Sequence, residues 1–334
     1  MLHLTIALPL LVGLVVMALA FDFLNGLHDA ANSIATVVST RLLSPVQAVL
    51  FAATFNFAAY WIFGLKVAET VGKGIVDKDV ITPQVIFGAL AGAMAWNVIT
   101  WWKGIPSSSS HALIGGLLGA GVTHAGFSAV VWGGVGKTTS AIVLSPVVGL
   151  SVSMLFIAIT SWVFSRATNS VAETIFKKLH LVSSAAYSIG HGANDAQKTM
   201  GIIAVLLYSQ NLLGHHFHVP GWVVICCYTA MCLGTLSGGW KIIQTMGSRL
   251  TKLDHQQGFC ASAGGSVMLF AASFFGIPVS TTHTIAGCVV GVGAARRASA
   301  VRWSVAYQVV VAWLITIPAS AGVAAFFYLL VTRL

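Results

Sequence analysis

Charge is what this sequence has least of. Only 7% of its 334 residues are Asp, Glu, Lys or Arg, and acidic residues number 8. A soluble domain carries about 25% charged residues, so a chain that is 57% hydrophobic cannot keep a water-facing surface. The composition reads as an all-α polytopic membrane protein, long enough for about eight to twelve embedded segments of about 20 residues. Paired cysteines are lacking too. Cys226, Cys227, Cys232, Cys260 and Cys288 lie in apolar stretches without metal-ligand spacing, which excludes a disulfide framework and gives no metal centre. No nucleotide-binding loop, no G-x-S-x-G and no metalloprotease pattern occurs. The run Gly133-Gly134-Val135-Gly136-Lys137-Thr138 lacks the full phosphate-loop spacing. An enzyme is therefore not expected, and no cofactor is implied. The net charge of +9 does not indicate nucleic acid. Its carriers sit in short loops between apolar runs, as Lys66, Lys73 and Lys78, Lys177 and Lys178, and Arg296, Arg297 and Arg302. That is how topology signals are distributed in a membrane protein. No Lys or Arg precedes Arg41, so Met1 to Ala20 lacks the basic start of a secretory signal and reads as a retained first span.

What the chain does have is one device built twice. Gly104-Ile105-Pro106-Ser107-Ser108-Ser109-Ser110-His111 is echoed by Gly276-Ile277-Pro278-Val279-Ser280-Thr281-Thr282-His283. In each, glycine and proline break the chain, hydroxyls follow, and an apolar helical pattern resumes after a histidine. A helix that begins among the hydroxyls leaves its first N–H groups outside its own ladder, at its positive end. Those groups and the hydroxyls of Ser108, Ser109, Ser110, Ser280, Thr281 and Thr282 suit a tetrahedral oxyanion; the competing role is helix capping.

Taken in order, residues 4–23 form an apolar span and 27–44 a second, interrupted by Asn25-Gly26-Leu27-His28-Asp29-Ala30-Ala31-Asn32. Residues 46–65 form a third, with Asn56 as its polar exception, and 66–82 a polar surface loop. Residues 84–123 read as a re-entrant hairpin with the serine run at its tip, and 141–165 as a span. Residues 166–181 read as an interfacial connector and 182–208 as a long span. A loop over 209–220 carries His215, His216 and His218, and 221–246 forms a further span. A second hairpin covers 258–295, and 303–332 is the last apolar stretch.

Three features recur in the same order. Asp29 to Asp195 is 166 residues, Glu69 to Gln244 is 175, and Gly104 to Gly276 is 172. The chain thus divides into a first repeat, 1–165, a connector, 166–181, and a second repeat, 182–334. If each hairpin returns to its own side, three spans separate the two acids. The second copy is then inverted, a design in which broken helices meet at mid-membrane.

Asp29 and Asp195 are the sharpest single residues. An acid inside a membrane segment costs at least about 2.5–3.5 kcal/mol by insertion scales, so it faces a cavity and binds or relays something. Asn25, Asn32 and Asn194 beside them can coordinate a cation, donate to an anion, or join helices. His28, His111, His191 and His283 all lie in the repeated motifs and can exchange a proton near neutral pH. Lys198 follows Asp195 by one helical turn and either pairs with it, attracts an anion, or snorkels.

At these residues the chain resembles the inorganic phosphate transporter family, and specifically its bacterial low-affinity members. The marks are the repeated acidic motif, the two Gly-Ile-Pro hairpins and Gln244-Thr245-Met246-Gly247. The resemblance implies an inverted-repeat fold with phosphate between the hairpin tips, multi-pass in the cell (inner) membrane, with Na⁺ or H⁺ as coupling ion. It also implies secondary active import of inorganic phosphate, or of metal-phosphate, by alternating access. Carried over, Asp29, Asn32, Asn194 and Asp195 become the ion-coupling set. Ser108, Ser109, Ser280, Thr281 and Thr282 become the phosphate set, with Ser110 beside them. His28 and Lys198 stand where the family's commonest motif has asparagines, and Asn56 stands where many eukaryotic members have glutamate. These departures remove oxygen ligands for Na⁺ and favour H⁺. A sulfate permease on the same scaffold and a passive anion channel are the competing readings. Homo-oligomerisation is left open.

Overall fold

The computed structural model describes residues 7–77, 80–214 and 216–333. Lys78, Asp79 and His215, and the first residues of the opening span, lie outside the described residues, as does the side chain of Lys73. Twelve α-helices and no strand are found among the described residues. They fall into two sets of six. The first is α1 (Leu8–Ser39), α2 (Pro45–Ala58), α3 (Lys66–Gly74), α4 (Pro83–Lys103), α5 (Ser109–Ala125) and α6 (Trp132–Val163). The second is α7 (Asn169–Ser209), α8 (Gly221–Ser237), α9 (Trp240–Gln244), α10 (His255–Phe275), α11 (Thr281–Arg296) and α12 (Trp303–Arg333).

Packing exchanges elements between the sets. α5 packs on α12 and α11 on α6; α1 packs on α8 and α7 on α2. Glycine permits the closest of these contacts. A Cβ on Gly26 would strike the carbonyl of Met231, and one on Gly192 that of Asn56. Likewise Gly287 lies against the Pro146 carbonyl and Gly115 against the Ile317 carbonyl. Small residues that let backbones approach are the usual means of joining helices in lipid. The outer helices present apolar faces, with Val143, Val147 and Leu155 on α6 and Leu314, Phe326 and Leu329 on α12 all exposed. Such faces suit a bilayer and not water.

Five helices, α1, α4, α6, α10 and α12, are long and apolar enough to cross a membrane, and two bent pairs could add two more. α5 and α11 have 17 and 16 residues, about 25 Å of helix, short of a hydrocarbon core of about 30 Å. Their starts meet α1 and α7 part-way along those helices. Two helix pairs, α4–α5 and α10–α11, each turn on a left-handed glycine, Gly104 (φ 66°) and Gly276 (φ 68°).

Several expectations are corrected. The acidic motifs do not break their helices. α1 runs through Asn25 to Asn32 without interruption, so the two apolar stretches share one helix that ends at Ser39, and α7 runs unbroken through Gly190 to Gly201. Their glycines serve close packing instead. The breaks lie elsewhere, between α2 and α3 (86°) and between α8 and α9 (67°). The loop assigned to 66–82 contains α3, because Val67, Ala68 and Val71 form a buried face while Lys66 and Glu69 stay exposed. The connector 166–181 continues into α7 from Asn169 onward, and α6 begins nine residues before the expected span.

The short helices after the breaks clamp the hairpin elbows of the opposite set. Thr70 Oγ1 donates to the Gly276 carbonyl (2.8 Å) and Lys66 Nζ to the Phe274 carbonyl (3.1 Å). In the same way Thr245 Oγ1 donates to the Gly104 carbonyl and Lys241 Nζ to the Trp102 carbonyl, both at 3.1 Å. These bonds satisfy carbonyls that a helix end leaves free. Thr70→Val and Thr245→Val are each expected to cost about 0.5–1.5 kcal/mol, additively because the elbows share no partner. Thermal unfolding of the purified single and double variants in detergent checks this.

Candidate functional site

Two helix stripes and two hairpin tips build the site. Asn25, Asp29 and Asn32 are spaced four and three apart, so one face of α1 carries all three. His191, Asp195 and Lys198 repeat that spacing on α7. All six are at most 3% exposed. Against them lie the starts of α5 and α11, so the expected hydroxyls and acids do come together.

Lys198 joins the parts. Its ammonium donates to Asp195 Oδ1 (2.5 Å), to Ser110 Oγ of the first tip (2.5 Å) and to the Val279 carbonyl of the second (2.7 Å). An ammonium has three donors, and all three are used. The snorkelling alternative is thus overturned: the side chain turns inward. Thr281 Oγ1 donates to Asp195 Oδ2 at 2.7 Å.

Asp29 meets both tips. Ser109 Oγ lies 2.8 Å from Asp29 Oδ2 and 2.5 Å from Asn25 Oδ1. Thr282 Oγ1 lies 3.3 Å from Asp29 Oδ1 and accepts from Asn32 Nδ2 at 2.9 Å. Asn32 Oδ1 is buried without a partner. No lysine or arginine bonds to Asp29 among the described residues; its titratable partner is His28, with Nδ1 at 3.0 Å.

His28 bridges Asp29 and α4: its Nδ1 lies 3.0 Å from Asp29 Oδ1 and its Nε2 3.1 Å from Thr100 Oγ1, a hydroxyl that also reaches the Trp96 carbonyl and Ser107 Oγ, both at 2.9 Å. Which ring nitrogen donates follows the tautomer. His191 differs. Its Nδ1 faces Asn56 Oδ1 at 3.2 Å; its Nε2 is 3.1 Å from Asp195 Oδ2 but off the line of a hydrogen bond. One ligand atom each from Asp29, His191 and Asp195 lie within 4.8 Å of one another, the place where this donor set fits a small cation.

Other expected residues have bracing roles. Ser108 and Ser280 cap α5 and α11, accepting from the N–H of His111 (3.3 Å) and His283 (3.2 Å). Asn194 uses both ends of its amide on the second tip, donating to the Ile277 carbonyl and accepting from the Val279 N–H. One of the two lone pairs on that oxygen is thereby used. His111 and His283 touch edge to face, centroids 4.3 Å apart, and His283 stacks on Trp313. Sequence reasoning missed three residues. Tyr187 donates to the Thr281 carbonyl, Gln197 holds the start of α3 through Val67, Ala68 and Gly64, and Thr100 orients His28. Gln197 alone had a signal, since it lies within the repeated motif. A cavity of about 490 Å³ has Thr100, Lys103, Pro106, Thr245 and Arg249 in its wall, so Thr100 stands between that cavity and His28.

Comparison with known proteins agrees with this architecture. The pattern of the phosphate transporter family matches residues 25–324. A probable low-affinity inorganic phosphate transporter of Rhizobium meliloti (strain 1021) is 62% identical over 97% of this chain and 97% of its own. One of Bacillus subtilis (strain 168) is 42% identical over 98% and 99%. A solved structure described as the sodium-dependent phosphate transporter superposes with a TM-score of 0.87 at 25% identity, covering 98% of this chain and 100% of that one.

Removing Lys198 would leave a buried carboxylate unpaired. Lys198→Met is expected to destabilise the protein by about 3–5 kcal/mol. Adding Asp195→Asn should recover much of that loss, because no charge is then stranded. Thermal unfolding in detergent, run on single and double variants, checks both statements.

Proposed function

The chain belongs to the phosphate transporter family, and from that premise we propose that it imports inorganic phosphate across the cell (inner) membrane by proton symport with alternating access. In this reading the two sets of six helices are inverted repeats, and the tips approach from opposite sides. Phosphate lies between the tips, held by the hydroxyls of Ser109, Ser110, Thr281 and Thr282, the first N–H groups of α5 and α11, and Lys198. Ser108 and Ser280 shape the tips as caps.

The observation that carries the reading is the unlike counter-charge of the two acids. Asp195 has Lys198, a fixed cation. Asp29 has His28, a cation only when protonated. With both acids ionised, Lys198 charged and the histidines neutral, the buried set carries one net negative charge. One proton removes it. A sodium ion would instead need several oxygen ligands, and the helices that carry the acids are unbroken, so their carbonyls stay in the helical ladder. Protonation also changes what the tips can do. Ser109, Thr281 and Thr282 now direct their hydroxyls at carboxylates, which compete with phosphate for the same hydrogens. A protonated Asp29 stops competing and can itself donate to a phosphate oxygen.

Uptake of labelled phosphate into proteoliposomes tests this. An inward proton gradient should drive accumulation, limited to about tenfold per pH unit for each proton carried, and a sodium gradient should not. His28→Gln should keep phosphate counterflow while losing proton-driven accumulation. Accumulation driven by sodium and indifferent to pH would overturn the reading.

A further inference from the structure

Asp22 is a buried acid that the site described above does not use. It is fully buried on α1, seven residues before Asp29 and so about 10 Å away along the same face. Thr199 Oγ1 of α7 donates to its Oδ1 at 3.0 Å. Its Oδ2 is buried with no hydrogen-bond partner. The ionisable groups that act on it among the described residues are themselves acidic. α8 contributes Cys227, Tyr228 and Cys232; α7 contributes Asp195, one turn before Thr199; on α1 the neighbour is the neutral amide of Asn25.

A bare carboxylate in such surroundings is costly, and it resolves that cost by taking a proton or a cation. A metal ion needs about six oxygens. The neighbours of Asp22 are donors or rings and not oxygen ligands: the Cys227 thiol, the Tyr228 ring, the Thr199 hydroxyl already turned to Oδ1, and the Asn25 amide, whose oxygen is held by Ser109 and whose nitrogen faces the carboxyl. The geometry points to a proton. We propose that Asp22 is a second proton-carrying carboxylate of the transport path, loaded at Oδ2 and linked to the first hairpin tip through Asn25. It rests on the symport reading given above. The chemistry balances simply: a proton from one compartment binds Oδ2, and the same proton leaves to the other as the tip moves with its phosphate. The link is mechanical as well as electrostatic. Asn25 lies between Asp22 and Ser109, so charge on Asp22 draws the Asn25 amide toward itself and away from the tip.

Two measurements on the full-length protein in lipid decide it. The first follows proton entry with a trapped pH dye, alongside labelled phosphate, in proteoliposomes. Asp22→Asn should carry one fewer proton per phosphate than the wild type, and Asp22→Glu should restore the wild-type ratio. The second follows the carboxylic-acid C=O stretch by difference infrared spectroscopy across a pH titration. The wild type should show a band that Asp22→Asn lacks and that shifts in Asp22→Glu. An unchanged ratio, or an unchanged band, in Asp22→Asn overturns the proposal. Should the asparagine variant not fold, a band that fails to move in Asp22→Glu overturns it equally. If wild-type uptake moves no protons at all, the symport reading is what fails, and the infrared band still decides whether Asp22 holds a proton.

Discussion

One buried ammonium ties this structure together. Lys198 satisfies its three donors on a carboxylate of its own helix, a hydroxyl of one hairpin and a carbonyl of the other. Each bond would be weak in water. Buried, none can be given up without leaving a charge or a donor unmatched, which costs more than the bond is worth in isolation. The two tips are thereby located with respect to α7 and to each other. α1 answers with a neutral group at the matching place. Asn32, 166 residues earlier, reaches the second tip through its amide. The two motifs are alike in spacing and unlike in charge.

That unlikeness extends to the residues flanking each acid. In the first half Asn25 precedes Asp29 by four and His28 by one; in the second His191 precedes Asp195 by four and Asn194 by one. The swap puts each histidine in a different setting. His28 is bonded to its acid and to Thr100, beside a cavity. His191 leans on Asn56 and only approaches its acid. Asn194, freed from the ring's position, braces a turn. The two acidic motifs share a spacing while their polar atoms have divided their tasks.

Much of this was legible in the sequence because it rests on spacing. Glycine, proline and hydroxyls in fixed order gave both hairpins, and recurrence at near-constant distance paired Asp29 with Asp195. What was not legible depends on partners far along the chain. The first acidic motif read as an interruption of its helix, yet Gly26 lies against a carbonyl of α8, as Gly192 does against one of α2, a contact no local pattern contains. α3 read as a loop because its charges outweigh a buried face of three residues. Ser108 and Ser280 could cap or bind, and only the helix start decided between them. Asp22 was passed over because the second half has Ser188 at the matching position, so repetition gave it no weight.

The closed arrangement of the tips also bears on how such a site could turn over. The hydroxyls suited to an oxyanion are already engaged, Thr281 with Asp195 and Ser109 and Thr282 with Asp29. An arriving anion must displace these contacts, and displacing a hydroxyl from an ionised acid strands the acid. Neutralising that acid first removes the obstacle. Asp195 has Lys198 beside it, while Thr282 of the second tip, like Ser109 of the first, is engaged with Asp29. In the proton-symport reading, neutralising Asp29 therefore frees a hydroxyl of each tip. Coupling in that reading needs no separate lock, because anion binding and neutralisation of Asp29 would draw on the same few hydrogens and each would favour the other.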